Sequence, residues 1–290
     1  MSSDFLLQVK NLKKAYTADN FILKGISIDI KPGEFVGVLG LSGAGKSTFL
    51  RCINRLIDPT SGEILFNKSF LTDNAADNQV LDICKLSGND LRLLRRKIGM
   101  VFQQFNIVKR LSVIENVLSG SLGYQGTFRG TFRIFTLEDK KKALANLERV
   151  GLLSQAYKRA DTLSGGQQQR VAIARTLMQN PRLILADEPV ASLDPKLSRE
   201  VLGILQKVCK EDGISALVSL HTLELTKAYS DRIIAFQGGM LTFDGTAEQL
   251  NNDEALGGKP EFAVARFDPR RLLSAVAFGF NESVGFAECN

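Results

Sequence analysis

The chain has 290 residues, 44% of them apolar, and a net charge of +6 at neutral pH. That length allows one large domain or two modest ones with a real core, and no run approaches the eighteen or so apolar residues of a membrane span. Cys52, Cys84, Cys209 and Cys289 are scattered without a CxxC pair, which argues against a zinc site and for reduced thiols in a cytosolic setting.

In chain order, MSSDFLLQVKNLKKAY lacks the basic, apolar and small-residue order of a signal peptide. Four strands are predicted in the first ninety residues, at LLQVKNL, FILKGISIDI, EFVGVLG and GEILFN, with a turn signal at Lys31-Pro32-Gly33. KSTFLRCINRL reads as a helix that stops at Asp58-Pro59. TDNAADNQVLDICKLSGND is polar and reads as a surface insertion of low order. From about Gln104 to Leu163 the pattern is helical, KKALANLERVGLL being its clearest element. Lys85 to Arg159 holds fifteen Lys/Arg against five Asp/Glu, a surplus of ten, so the remainder carries about −4. Such a basic segment suits nucleic acid, acidic headgroups, a partner or a plain solvated face. Beyond it, helix QQQRVAIARTLMQ, strand RLILAD, helix DPKLSREVLGILQKVCK, strand SALVSL and helix TLELTKAYS alternate. That alternation predicts a parallel sheet covered by helices, an α/β fold.

Three stretches carry chemistry. Gly40-Leu41-Ser42-Gly43-Ala44-Gly45-Lys46-Ser47-Thr48 fits GxxxxGK[ST] between a strand and a helix. Its glycines let backbone N–H groups cradle phosphates at a helix N-terminus. Lys46 is placed to reach the β- and γ-phosphates, and Ser47 to put its hydroxyl on Mg²⁺. In Arg182-Leu-Ile-Leu-Ala-Asp187-Glu188-Pro189, two carboxylates end a strand buried on both faces. Asp187 suits Mg²⁺, and Glu188 suits polarising the attacking water; without a cation the adjacent acids repel. In Leu163-Ser164-Gly165-Gly166-Gln167, Ser164 and Gln167 stand at capping-box spacing, and the first-turn N–H groups make a second anion site. His221, the only histidine, follows the strand ALVSL, at the end where open α/β sheets hold their working groups.

These strings together resemble the ATP-binding subunit of an ABC transporter over roughly residues 5 to 250. The resemblance implies an ABC ATPase cassette: a P-loop NTPase with a mostly parallel sheet, an antiparallel β subdomain and an inserted helical subdomain at about 104–163. It implies that Tyr16 stacks on adenine, and that Gln103 links the Mg²⁺ and water site to the helical subdomain, with Gln104 less favoured. It places Ser192-Leu193-Asp194 across a dimer interface, where Asp194 also caps a helix that begins at Pro195. His221 falls where the family has a histidine that bonds the γ-phosphate and orients Glu188 and water.

RCINRLIDPTSGEI, IGMVFQQFNIVKRLSVIENVLSGSLGY, RADTLSGGQQQRVAIARTL and LADEPVASLDPKLSREVL resemble the phosphonate importers in particular. The long insertion around residues 68 to 90 and the extension 251–290 depart from that pattern. The resemblance further implies a homodimer closing on ATP and Mg²⁺, with a separate transmembrane permease and a periplasmic or lipid-anchored solute-binding protein. The chain would be peripheral, on the cytoplasmic face of the inner membrane, with no nucleic-acid partner. ABC ATPases of DNA repair carry long coiled coils or zinc-bearing inserts, and only about sixty residues separate Gln103 from LSGGQ here. Translation-associated relatives carry two cassettes, against one here. In the basic segment, Phe128, Arg129, Phe132 and Arg133 are candidates for contact with the permease or headgroups.

Overall fold

The computed structural model describes residues 5–17, 20–70, 79–125 and 134–251. Two sheets build the frame. Strands β1 (Leu7–Thr17), β2 (Asn20–Ile30), β4 (Ser61–Asn67) and β5 (Val80–Asp82) form an antiparallel sheet in the order β2-β1-β4-β5. In β2, Leu23, Ile26, Ile28 and Ile30 are buried while Lys24, Ser27 and Asp29 face outward, the period-two pattern of a sheet wet on one side.

The second sheet joins β3 (Phe35–Gly40), β6 (Ile98–Phe102), β7 (Leu183–Asp187), β8 (Ser215–Leu220), β9 (Arg232–Gln237) and β10 (Met240–Gly245), in the order β10-β9-β3-β8-β7-β6. All its pairings are parallel except β10 with β9. Every residue of β3, β7 and β8 is buried, because layers cover both faces. Along β7, Leu183 and Leu185 enter the cluster shared with the antiparallel sheet, whereas Ile184 and Ala186 enter the cluster shared with the helices.

The helices are α1 (Lys46–Ile53), α2 (Gly88–Lys97), α3 (Val113–Leu118), α4 (Leu137–Arg149), α5 (Gly165–Leu177), α6 (Pro195–Asp212) and α7 (Leu223–Tyr229). Local chemistry sets their starts. Capping boxes open three of them: Ser112 with Glu115 for α3, Thr136 with Asp139 for α4, and Ser164 with Gln167 for α5. Helix α6 runs from the Asp194 cap and Pro195 to Gly213, whose φ of 62° closes it, and buries Val201, Leu202, Leu205, Val208 and Cys209 along one apolar stripe.

Three features differ from the sequence reading. The stretch after residue 70 is not wholly irregular: β5 pairs with β4, Ile83 is fully buried, and α2 begins at Gly88, while 71–78 lie outside the described residues. The turn at Lys31-Pro32-Gly33 carries the chain from one sheet to the other. Between Gln104 and Leu163 the described residues form α3, α4 and short 3-10 turns, with irregular chain between them. Strands β6, β9 and β10 were not among the predicted elements: β6 and β10 lie at the edges of the sheet, whereas β9, between β10 and β3, is a short buried apolar run that periodicity alone does not tell from helix. Phe128, Arg129, Phe132, Arg133 and the extension 252–290 lie outside the described residues. So the proposed contact surface of the basic segment is not seen.

Candidate functional site

The parallel ladder lines up the motif ends. Leu39 pairs with Leu220, Ala186 with Val218, and Phe102 with Asp187. The segments leaving β3, β8, β7 and β6 therefore emerge side by side at one edge: the glycine-rich loop, His221, Asp187-Glu188 and Gln103. This carboxyl end of an open α/β sheet is where ligands bind.

The loop from Gly40 to Gly45 needs its glycines for definite reasons. Gly45 has φ 101°, and a Cβ there would lie 2.9 Å from Leu23 Cδ2 and 3.0 Å from the Ile22 carbonyl. At Gly43, φ is 80° and a Cβ would meet no protein atom within 4 Å, so the left-handed backbone borders open space. Gly45 opens α1 without a side-chain cap, leaving the first-turn N–H groups of Lys46, Ser47 and Thr48 without intrahelical partners. Leu41, Ser42 and Gly43 are exposed, whereas Ala44 and Gly45 are buried.

Lys46 is only 3% exposed. Its ammonium donates to the Gly40 carbonyl at 2.7 Å and the Leu41 carbonyl at 3.2 Å, and lies 4.0 Å from Glu188 Oε1. Burial holds its pKa below the ordinary lysine value, against the pull of Glu188 and Asp187 in the other direction.

Asp187 is almost wholly buried and engaged at both oxygens. Ser47 Oγ donates to Oδ1 at 2.6 Å, and Arg51 Nη2 donates to Oδ2 at 3.1 Å. Ser47 and Arg51 stand four residues apart on one face of α1. Glu188 has φ 50°, outside the ordinary range for a side-chain-bearing residue. Its Oε1 lies 2.6 Å from His221 Nε2, and its N–H donates to Ser219 Oγ at 2.8 Å. Gln103 is exposed just past the end of β6, and no hydrogen bond is seen for it among the described residues. A cavity of about 320 Å³ lies beside Glu188 and His221, between the start of α6 and α7, lined by Val190, Leu193, Pro195 and Leu225 among others.

The remaining candidates stand elsewhere. At the start of α5, Ser164 Oγ accepts from Gln167 N at 3.4 Å, and Gln167 Oε1 accepts from Ser164 N at 3.0 Å. Gly165 and Gly166 follow, their N–H groups lacking intrahelical acceptors. Among the described residues no hydrogen bond joins 164–167 to 40–48. Asp194 Oδ1 accepts from Lys196 N and Leu197 N, so that oxygen is taken by the cap. Tyr16 is 59% exposed on β1, with Lys14 Nζ 5.2 Å from its ring centre.

Sequence reasoning missed two residues that touch this cluster, Arg51 and Ser219. A signal existed for each: Arg51 follows Ser47 at helical i,i+4 spacing, and Ser219 is a hydroxyl near the end of a mostly apolar strand, two residues before His221.

A phosphate-loop geometry facing paired carboxylates and a histidine narrows the family, and comparison with known proteins decides it. Residues 23–191 match the model of the ABC transporter family. The phosphonates import ATP-binding protein PhnC 2 of Halalkalibacterium halodurans is 50% identical over 247 residues, 85% of this chain and 96% of that one. The chain belongs to the ABC transporter family. The phosphonates import ATP-binding protein PhnC of Lactobacillus johnsonii is 48% identical over 257 residues, 87% of this chain and 96% of that one. Among solved structures, a dimeric ATP-binding cassette in a post-hydrolysis state with ADP and Pi superposes with a TM-score of 0.69 at 36% identity, over 83% of this chain and 98% of that one. As a member of this family, the chain is an ATP-binding ATPase. Among the described residues, no helix is long and apolar enough to cross a membrane.

Proposed function

We propose that this ABC ATPase powers phosphonate import. Two copies would close around two ATP and Mg²⁺ and drive a separate transmembrane permease fed by a solute-binding protein, from a peripheral position on the cytoplasmic face of the membrane. The observation that carries the substrate is the 46–50% identity, over about 85% of the chain, to relatives named for phosphonate import. Related phosphite or phosphate esters fall within the same reading.

The residues fit the nucleotide and the metal. Gly43 borders an open cradle, and Lys46 stands beside it. Ser47 Oγ and the Asp187 carboxylate, 2.6 Å apart, are hard oxygen donors of the kind Mg²⁺ takes, together with waters and phosphate oxygens. When bound, the metal would neutralise the phosphate charge that builds in the transition state. In this reading Lys46 exchanges the Gly40 and Leu41 carbonyls for phosphate oxygens, and the N–H groups of 42–48 hold the rest of the phosphate chain. Glu188 takes up proton density from the attacking water as the water oxygen bonds to the γ-phosphorus and the bond to ADP breaks. His221 steers Glu188 through their contact. Gln103 connects this edge to the helical subdomain at about 104–163, Tyr16 supplies an adenine platform, and Ser164, Gly165, Gly166 and Gln167 of one copy, with Asp194, complete the site of the other. Residues 5–250 would act as one cassette with 104–163 as its helical subdomain.

The test is growth of a deletion strain on a phosphonate as sole phosphorus source. Growth should return with the native chain and not with Glu188→Gln. Full growth of the deletion strain, or rescue by Glu188→Gln, would count against the proposal.

A further inference from the structure

Ser219 is fully buried on β8, two residues before His221. Its Oγ accepts the Glu188 N–H at 2.8 Å and approaches Asp187 Oδ1 at 3.4 Å, toward which its own proton can point. One hydroxyl thus meets both residues of the carboxylate pair from the neighbouring strand.

Glu188 depends on such support. With φ at 50°, its Cβ crowds the backbone in a way that glycine avoids, and residues in this region persist only where their surroundings over-determine them. At the end of β7 its N–H has left the strand ladder, and without Ser219 it would be a part-buried donor left unpaired. Ser219 is that acceptor. A valine in its place would fill much the same volume within an apolar strand and offer no acceptor at all.

We infer that Ser219 is a positioning residue for ATP hydrolysis: its hydroxyl fixes the Asp187–Glu188 peptide so that Glu188 turns its carboxylate to His221, 2.6 Å away, and toward Lys46, 4.0 Å away. The inference rests on the reading of Glu188 as the group that polarises water. Ser219 is fully buried on β8 and acts through its bond to the Glu188 N–H.

The experiment compares Ser219→Val, Ser219→Ala and Ser219→Thr in the purified full chain, with thermal unfolding recorded for each. Val and Ala should lower kcat by about tenfold to a hundredfold, the scale of a reacting group misplaced by about an ångström. KM for ATP with Mg²⁺ should stay within about twofold, because the phosphate loop, Ser47 and the Asp187 carboxylate all remain. Thr keeps the hydroxyl and should restore most of kcat. In a Glu188→Gln background, Ser219→Val should remove no more than about a further twofold, since both changes act on one group. If Val does not fold, Ala carries the same comparison. Native kcat in the folded Val or Ala variant overturns the inference, as does a folded Thr variant as slow as Ala. Native turnover in Glu188→Gln alone overturns the reading of Glu188 itself, whatever the Ser219 variants do.

Discussion

Lys46 and Glu188 show how the site stores cost for function. Lys46 is a cation held among backbone carbonyls with only distant carboxylate compensation, and burial lowers its pKa. A lysine whose folded pKa lies below the unfolded value costs stability while both states are protonated. The cost fades as pH rises from the folded pKa toward 10.5, where the unfolded chain binds more protons than the folded one. Lys46→Met should therefore raise the nucleotide-free melting temperature near neutral pH. That gain should shrink as pH approaches 10.5, and ATP should no longer stabilise the variant. Calorimetry across pH reads both effects, and a melting temperature below the native one would refute the first. At Glu188, replacing the carboxylate by an isosteric amide leaves the fold and removes the base. Glu188→Gln should bind ATP with Mg²⁺ yet hydrolyse it at least about a hundredfold more slowly, trapping an ATP-bound dimer. Phosphate release and light scattering measure the two outcomes, and retained turnover would remove Glu188 from its assigned role.

At the scale of elements, the start of α6 matters most, because it joins the segment after Glu188 to the helix that covers the sheet. Asp194 satisfies two first-turn N–H groups and precedes Pro195 at N1. Asp194→Ala should cost about 1 kcal/mol, or roughly 3 °C in melting temperature, while Asp194→Asn should keep most of the cap. If Ala and native melt together, the cap does not hold the helix as the hydrogen bonds imply. Asn also separates the local role from the proposed one at the dimer interface, where the charge itself would matter.

At the scale of the molecule, one edge of the parallel sheet collects the phosphate loop, the carboxylates and the histidine, whereas the α5 N-terminus has no hydrogen bond to that loop among the described residues. A solved relative of the same fold is dimeric. If Ser164 and Gly165 complete the site of a second copy, Ser164→Arg should leave ATP binding nearly intact and abolish ATP-driven dimerisation, because a bulky cation would block the exposed helix start from the partner's γ-phosphate. Nucleotide titration and light scattering on one sample decide this, and an ordinary ATP-dependent dimer would overturn it.

How much was legible in the sequence depends on which forces are local. Phosphate-loop glycines, capping boxes and the Asp-Pro helix start are fixed by backbone sterics and by hydrogen bonds a few residues apart, so GLSGAGKST, LSGGQ and LDPKL declare themselves in one dimension. The parallel core was legible too, because RLILAD and SALVSL are apolar over most of their length, as strands covered on both faces must be. What stayed hidden depends on register between strands far apart in the chain. Only the pairing of β7 with β8 puts the Ser219 hydroxyl against the Glu188 N–H, and only the approach of α1 to β7 brings Arg51 to Asp187. Strand β5, inside a polar stretch, has weak alternation of its own and is defined by its pairing with β4. Sequence by itself determined the chemical groups of the site and the elements that carry them. Tertiary structure alone decided which of those groups meet, because hydrogen bonds and charge pairing act over a few ångströms and the separation along the chain does not report that distance.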